Sequence, residues 1–146
     1  MAYLDPGAMN GAVENSGEPH LPCVVLVDTS GSMSPVMDEV HRGLRELGEA
    51  LNDDPRARGC VELCIVAFDS TVKTVQPFGS VYDYVAPQLV ANGTTHMQDA
   101  VDLALREIEA RKAQYRQSGT RYYRPWIFLL TDGYPTTNNN VHFLSI

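Results

Sequence analysis

The chain is 146 residues long, which suits a single domain built on one core. Hydrophobic residues at 44% and charged residues at 20% exclude a disordered or fibrous polypeptide. A formal net charge of −7 excludes a general nucleic-acid binder, because phosphate contacts need a concentrated surplus of Lys and Arg.

Residues 1–20 mix Gly7, Gly11, Gly17, Pro6 and Pro19 with scattered acids and show no periodicity, so they read as a flexible N-terminal tail. They hold no basic n-region followed by an apolar h-region, and no apolar run is long enough to span a bilayer, so no membrane partner is expected.

The domain begins at Leu21. Cys23-Val24-Val25-Leu26-Val27 is a continuous, β-branched-rich run, the pattern of a strand buried on both faces of a parallel sheet, and it stops at Asp28. Val36, Met37, Val40, Leu44, Leu47 and Leu51 then recur at spacings of three and four, which predicts a helix of about four turns, with Ser34-Pro35 as its cap and first residue. Asn52 to Gly59 reads as a polar loop. Val61 to Phe68 is a second buried strand, and Asp69-Ser70 turns it into a third over Thr71 to Gln76, an antiparallel hairpin with Asp69 as a turn residue.

Residues 77–93 contain Pro77, Gly79, Pro87 and Gly93, with a short helix expected around Val81 to Val85. A second long helix follows, with Met97, Val101, Ala104, Leu105 and Ile108 on one face. The cluster Arg106, Arg111, Lys112, Arg116, Arg121 and Arg124 reads as a solvated, basic helix end and the segment after it. Trp126 to Leu130 is the last buried strand and runs into Thr131-Asp132-Gly133. Cys23, Cys60 and Cys64 lie in apolar, strand-like runs and are odd in number, so they are expected to be reduced core residues of a cytoplasmic protein.

Strand, helix, hairpin, helix, strand describes an open α/β sheet with helices on its faces. Ligands of such sheets collect at the carboxyl ends of the parallel strands. Here Asp28-Thr29-Ser30-Gly31-Ser32-Met33 places one carboxylate and two hydroxyls at alternate positions after the first strand, and Asp132 follows the last. Asn92-Gly93-Thr94-Thr95-His96-Met97 brings a threonine hydroxyl to the same edge ahead of the second long helix. Two carboxylates and three hydroxyls form an oxygen-only donor set suited to Mg²⁺ or Mn²⁺, whereas zinc or copper would recruit His or Cys. Each piece also has a simpler reading. Asp132-Gly133 makes a turn, Thr95-x-x-Gln98 has the form of a capping box, and His96 reads as a partly exposed helix-start residue.

Asp28-x-Ser30-x-Ser32, Gly93-Thr94-Thr95 and Thr131-Asp132-Gly133, in this order, resemble the three parts of the metal-ion-dependent adhesion site (MIDAS) of von Willebrand factor type A (VWA) domains. The resemblance runs from Leu21 to Pro135 and is nearest to bacterial intracellular members such as those associated with tellurium resistance. It implies an open, doubly wound, Rossmann-like sheet, mostly parallel with one antiparallel edge strand. It also implies metal ligands Asp28, Ser30, Ser32, Thr95 and Asp132, with Thr94 competing for the Thr95 role. The function implied is capture of a Glu or Asp of a protein partner at the ion's open position, with no chemical step.

Two alternatives remain open at this point. A Mg²⁺-dependent phosphotransferase or phosphatase of the haloacid dehalogenase type would also carry a strand-end Asp, but position 30 is Ser where that chemistry needs a second acid. The other is a non-functional truncated fragment. Only fourteen residues follow Asp132, and a further parallel strand needs a crossover of about a dozen residues plus the strand. The domain over 21–135 is therefore expected to lack the C-terminal part of the fold, to leave Trp126 to Leu130 as an open edge, and to end in an irregular tail over 136–146.

Overall fold

A computed structural model describes residues 5–14 and 17–131, together with the backbone of 144–145. The strands are β1 (Leu21–Asp28), β2 (Val61–Phe68), β3 (Val72–Ser80), β4 (Trp126–Leu130) and β5 (Leu144–Ser145), and the helices are α1 (Met37–Asp53), α2 (Pro55–Cys60) and α3 (Met97–Ser118). They build a five-stranded sheet in the order β3-β2-β1-β4-β5. β1 runs parallel to both β2 and β4, in a register that sets Asp28 opposite Phe68 and Val27 opposite Leu130. β3 pairs antiparallel with β2, as the Asp69-Ser70 turn predicts.

The continuous apolar runs work because both faces of the sheet are covered, so alternate side chains enter two separate cores. Val24, Leu26, Cys64, Val66, Phe68, Ile127 and Leu129 pack under Ala100, Ala104 and Ile108 of α3. Val25, Val27, Ile65 and Ala67 pack under Met37 and Leu44 of α1, with Val40 and Leu47 beside them. The small alanines of α3 let the helix axis lie close to the strands. Among the described residues no helix is long and apolar enough to cross a membrane.

Several expectations change. The helix predicted from Pro35 begins at Met37, because Gly31–Val36 forms a separate 3₁₀ segment that takes Pro35 inside it. The loop expected over Asn52 to Gly59 contains α2, capped by Asp54, whose Oδ1 accepts the backbone N–H groups of Arg56 (2.9 Å) and Ala57 (3.3 Å). Cys60 therefore ends a helix rather than lying in a strand, while Cys23 and Cys64 are buried in strands. The third strand extends to Ser80, and the short helix after it is a single 3₁₀ turn over Val81–Asp83. β4 is not a wholly open edge: Trp126 and Ile127 pair antiparallel with Ser145 and Leu144, two residues of the segment expected to be irregular.

Within the N-terminal segment expected to be flexible, residues 7–11 are tied to β3 and α3 by hydrogen bonds of glycine amides and the Asn10 side chain. Gly7 N–H donates to Glu107 Oε1 (2.8 Å), Phe78 N–H donates to Asn10 Oδ1 (3.0 Å), and Gly11 N–H donates to the Phe78 carbonyl (2.8 Å). The basic cluster also divides. Arg111 is 1% exposed, and its guanidinium forks onto the Glu62 carboxylate with two 2.8 Å hydrogen bonds. Its remaining nitrogen donates to the Gly11 carbonyl (2.7 Å) and Gln114 Oε1 (2.8 Å). Tyr115 donates its hydroxyl proton to Glu62, and His20 Nδ1 lies 3.2 Å from the same carboxylate. This polar knot lies at the amino ends of β1 and β2, the edge of the sheet opposite Asp28.

Candidate metal centre at the carboxyl edge of the sheet

Asp28 is the last residue of β1 and only 3% exposed. Its two carboxylate oxygens take separate donors, Oδ1 from the Ser30 backbone N–H (2.9 Å) and Oδ2 from the Thr131 hydroxyl (3.0 Å). The carboxylate thus joins the end of β1 to the end of β4. Each oxygen accepts one hydrogen bond, leaving lone-pair capacity on both. Ser30 Oγ lies 3.2 Å from Ser32 Oγ, so the two hydroxyls of the first motif face each other within hydrogen-bond distance rather than turning outward as separate caps. Ser30 precedes the 3₁₀ segment without a side-chain capping bond, as a residue whose hydroxyl is directed elsewhere would.

The second motif reaches this loop through the backbone. Gly31 N–H donates to the Gly93 carbonyl (2.9 Å), and Asn92 N–H donates to the Thr29 carbonyl (2.8 Å). The chain leading to Asn92 is itself fixed across α1: Tyr84 donates its hydroxyl to the Leu44 carbonyl (2.8 Å), and Leu89 N–H donates to His41 Nε2 (2.9 Å). Gly48 makes this crossing possible, since a Cβ there would sit 2.6 Å from the Tyr84 ring. Gly93 has φ +77, in the left-handed region, and a Cβ there would lie 2.1 Å from Ser70 Oγ.

Thr94 and Thr95 part company. Thr94 N–H donates to Ser70 Oγ (3.0 Å), and the two hydroxyls lie 3.4 Å apart, so Thr94 is committed to the β2–β3 hairpin tip. The Thr95 side chain is exposed and takes no hydrogen bond among the described residues. The capping box does not form either, since His96 is the N-cap of α3 and no side-chain capping bond is made. His96 is about half exposed, with Nδ1 3.6 Å from Asp99 Oδ2 one turn on, a surface arrangement that leaves it outside the oxygen cluster. Asp132 lies outside the described residues. Its neighbour Thr131 is the residue that contacts Asp28.

Asp69 and Ser70 enter the neighbourhood although the sequence marks them only as a turn. Asp69 Oδ1 accepts from the Thr71 backbone N–H (3.0 Å), which closes the turn, and Oδ2 accepts from the Thr29 hydroxyl (3.0 Å). Burial pushes the Asp69 carboxyl up, but the hydrogen bonds from Thr71 and Thr29, with the Lys73 charge, together outweigh it and hold the carboxyl below its usual value.

Among the described residues no three His, Cys, Asp or Glu side chains gather into a metal cluster, and the oxygens of the first motif are the Asp28 carboxylate and the Ser30 and Ser32 hydroxyls. That chemistry fits a hard cation. A cavity of about 700 Å³ opens elsewhere, between residues 5–10, β3 and α3, and none of Asp28, Ser30, Ser32 and Thr95 lines it.

Among solved structures, the chain is similar to a D319A mutant of the PilB minor pilin from Streptococcus sanguinis, with a TM-score of 0.61 and 18% identity over 81% of this chain and 31% of that one. It is also similar to the open conformation of the pilus adhesin SpaC from Lactobacillus rhamnosus GG, with a TM-score of 0.56 and 20% identity over 87% of this chain and 16% of that one. Proximal thread matrix protein 1 from the mussel byssus matches with a TM-score of 0.50 and 16% identity, over 84% of this chain and 33% of that one. The chain thus spans about a third or less of the length of each, and at these identities the likeness establishes the fold alone. No curated protein matches the sequence. The family model of the von Willebrand factor type A domain matches residues 23–135, from the first core strand to beyond the third motif, and the chain belongs to that family.

Proposed function

We propose that this VWA domain is a divalent-metal-dependent protein-interaction module. In this reading Asp28, Ser30, Ser32, Thr95 and Asp132 hold Mg²⁺ or Mn²⁺, and the open position of the ion takes a Glu or Asp carboxylate from a protein partner. The observation that carries the reading is the pair of Ser30 and Ser32 hydroxyls, 3.2 Å apart, in the loop that leaves the buried Asp28 at the carboxyl edge of parallel strands. Thr95 is preferred to Thr94 because the Thr94 hydroxyl already faces Ser70.

Electrostatics explains why the metal is needed. The chain carries a formal net charge of −7, so an acidic partner is repelled by the bare surface, and Asp28 adds to that repulsion at the site itself. Hydroxyl ligands neutralise none of the ion's charge. A divalent cation leaves a net positive charge over one carboxylate and cancels the charge of two, so in either case the local repulsion is removed and its open position favours an incoming carboxylate. SpaC, a structural neighbour, is a pilus adhesin, in keeping with a binding role. The module performs no chemical step in this reading, and its three free cysteines accord with a reducing cytoplasm.

The test is calorimetric titration of Mg²⁺ and Mn²⁺ into the full chain and into Asp28→Ala, followed by partner capture with and without chelator. The expected result is metal binding by the wild type that Asp28→Ala abolishes, with capture lost on chelation and in the variant. Binding and capture that both survive Asp28→Ala refute the proposal, and turnover of a generic aryl phosphate would favour the phosphotransferase alternative.

A further inference from the structure

We infer that the β2–β3 hairpin tip, Asp69-Ser70, is a positioning clamp that sets the spacing between the first and second motifs of the metal site. The inference rests on the metal-site reading and adds two residues to it that belong to none of the three motifs.

Thr29 stands between two candidate ligands, Asp28 and Ser30, and every polar group it has is engaged. Its N–H donates to the Phe68 carbonyl (2.8 Å), and its carbonyl accepts from Asn92 N–H (2.8 Å). Its hydroxyl lies 3.2 Å from the Phe68 carbonyl and 3.0 Å from Asp69 Oδ2, and has a single proton to share between them. Thr94, which precedes the candidate ligand Thr95, gives its N–H to Ser70 Oγ. Two consecutive residues of one turn therefore each grip the neighbour of a ligand, on different loops.

The tip is stiff enough to act this way. Asp69 N–H donates to the Thr71 carbonyl (2.9 Å), and Thr71 N–H returns to Asp69 Oδ1 (3.0 Å). Gly93 completes the fit, because any Cβ there would meet Ser70 Oγ. Fixing the hydroxyls before the cation arrives lowers the ordering cost of binding, which is how groups behind the ligands raise metal affinity. Asp69 and Ser70 are positioning residues, since neither lies within the oxygen cluster.

The experiment is Mg²⁺ and Mn²⁺ titration of Asp69→Ala, Ser70→Ala, Asp69→Asn and Asp54→Ala in the full chain, with the urea midpoint of each measured alongside. Asp69→Asn keeps an oxygen for the turn and polar atoms for Thr29, so it serves as the conservative rescue. Asp54→Ala removes two capping hydrogen bonds on α2 as a matched loss of stability outside the site. Asp69→Ala and Ser70→Ala are each expected to weaken metal binding roughly three- to tenfold, less than direct partners of a ligand do. Asp69→Asn should recover most of the loss, and Asp54→Ala should bind as the wild type does. Wild-type affinity in both alanine variants, or an equal loss in Asp54→Ala, overturns the clamp while leaving the metal site standing. A wild-type chain that binds neither ion overturns the site reading and the clamp with it.

Discussion

Replacing Arg111 with Met tests the polar knot at the amino edge of the sheet. The substitution keeps the aliphatic stem but removes the charge and four hydrogen bonds, two to Glu62, one to Gly11 and one to Gln114. Glu62 is left buried with Tyr115 and His20 as its partners. Breaking one side of such a buried pair costs about 3–5 kcal/mol, against a total stability of about 5–15 kcal/mol for a domain. With a urea slope of about 2 kcal/mol/M, the midpoint at pH 7 should fall by roughly 2 M.

The pH dependence gives the sharper check. Burial pushes the Glu62 carboxyl up, but hydrogen bonds from His20 and Arg111, the Arg111 charge and the Tyr115 hydroxyl outweigh it and bring the carboxyl from 4.5 down to about 2. A depressed carboxyl stabilises the fold fully above pH 4.5, and that contribution is lost as pH falls from there towards 2. In Arg111→Met the carboxyl stays buried without its cation, so its value rises from the wild-type level while His20 and Tyr115 still hold it, and acidification weakens the variant less than the wild type. The difference between the two midpoints must therefore shrink between pH 7 and pH 4. A loss under about 1 kcal/mol at pH 7, or a gap that stays constant on acidification, would refute the reasoning.

Two further outcomes follow from the site and the core. Gly93→Ala should lower metal affinity at least as much as Ser70→Ala, because the new Cβ meets Ser70 Oγ and the backbone at φ +77 resists a side chain; equal affinity in titration would show that the loop yields without moving Thr95. Thiol labelling of the native chain should modify Cys60 first and spare the other two until denaturant is added. Burial pushes Cys23 up to about 12 and Cys64 well above its usual value, whereas Cys60 is only partly covered, so rapid labelling of all three in the native state would contradict the packing.

The sheet was legible because β1 and β2 are buried on both faces, which writes Val24 to Val27 and Leu63 to Phe68 as unbroken apolar runs; Trp126 to Leu130 is equally apolar in sequence but buries only Ile127 and Leu129 fully, with Trp126 exposed on the other face. The edge of the sheet that carries the first two motifs was legible for the same reason, since a buried run that stops at an acid marks a strand end. What escaped was held by polar contacts. α2 is six residues with two arginines and no apolar stripe, and its one signal was Asp54 ahead of Pro55, the cap and first-residue pair. The segment 5–14 docks through glycine amides and the Asn10 side chain, so composition alone made it look like a tail. Arg111 hid within a cluster of surface cations, although Glu62 inside an apolar strand signalled that a buried cation was needed to meet it. Asp69 and Ser70 read as ordinary turn residues because a turn uses the same hydrogen bonds that here reach across to Thr29 and Thr94.

The two polar centres of the sheet are linked by one rigid element. α3 has 22 residues, a length of about 33 Å at the usual rise. Its first turn follows Thr94-Thr95 directly, and its last turns carry Arg111 and Tyr115, which lock onto Glu62 at the far edge of the sheet. Between them Ala100, Ala104 and Ile108 bury against β1, β2 and β4. A helix pinned along its apolar stripe can still slide by small amounts, because dispersion contacts are many and individually weak. A bidentate ion pair is directional and resists such sliding. The buried Arg111–Glu62 pair therefore fixes the axial position of α3, and with it the place where the helix begins. The loop bearing Thr95 is fixed at that end by the helix and at the other by Ser70 and the two backbone bonds to Thr29 and Gly31. An apolar contact in place of the ion pair would preserve the fold's covering of the sheet but not this register, which gives a buried charge at one edge a reason to exist in a protein whose proposed metal site is at the other.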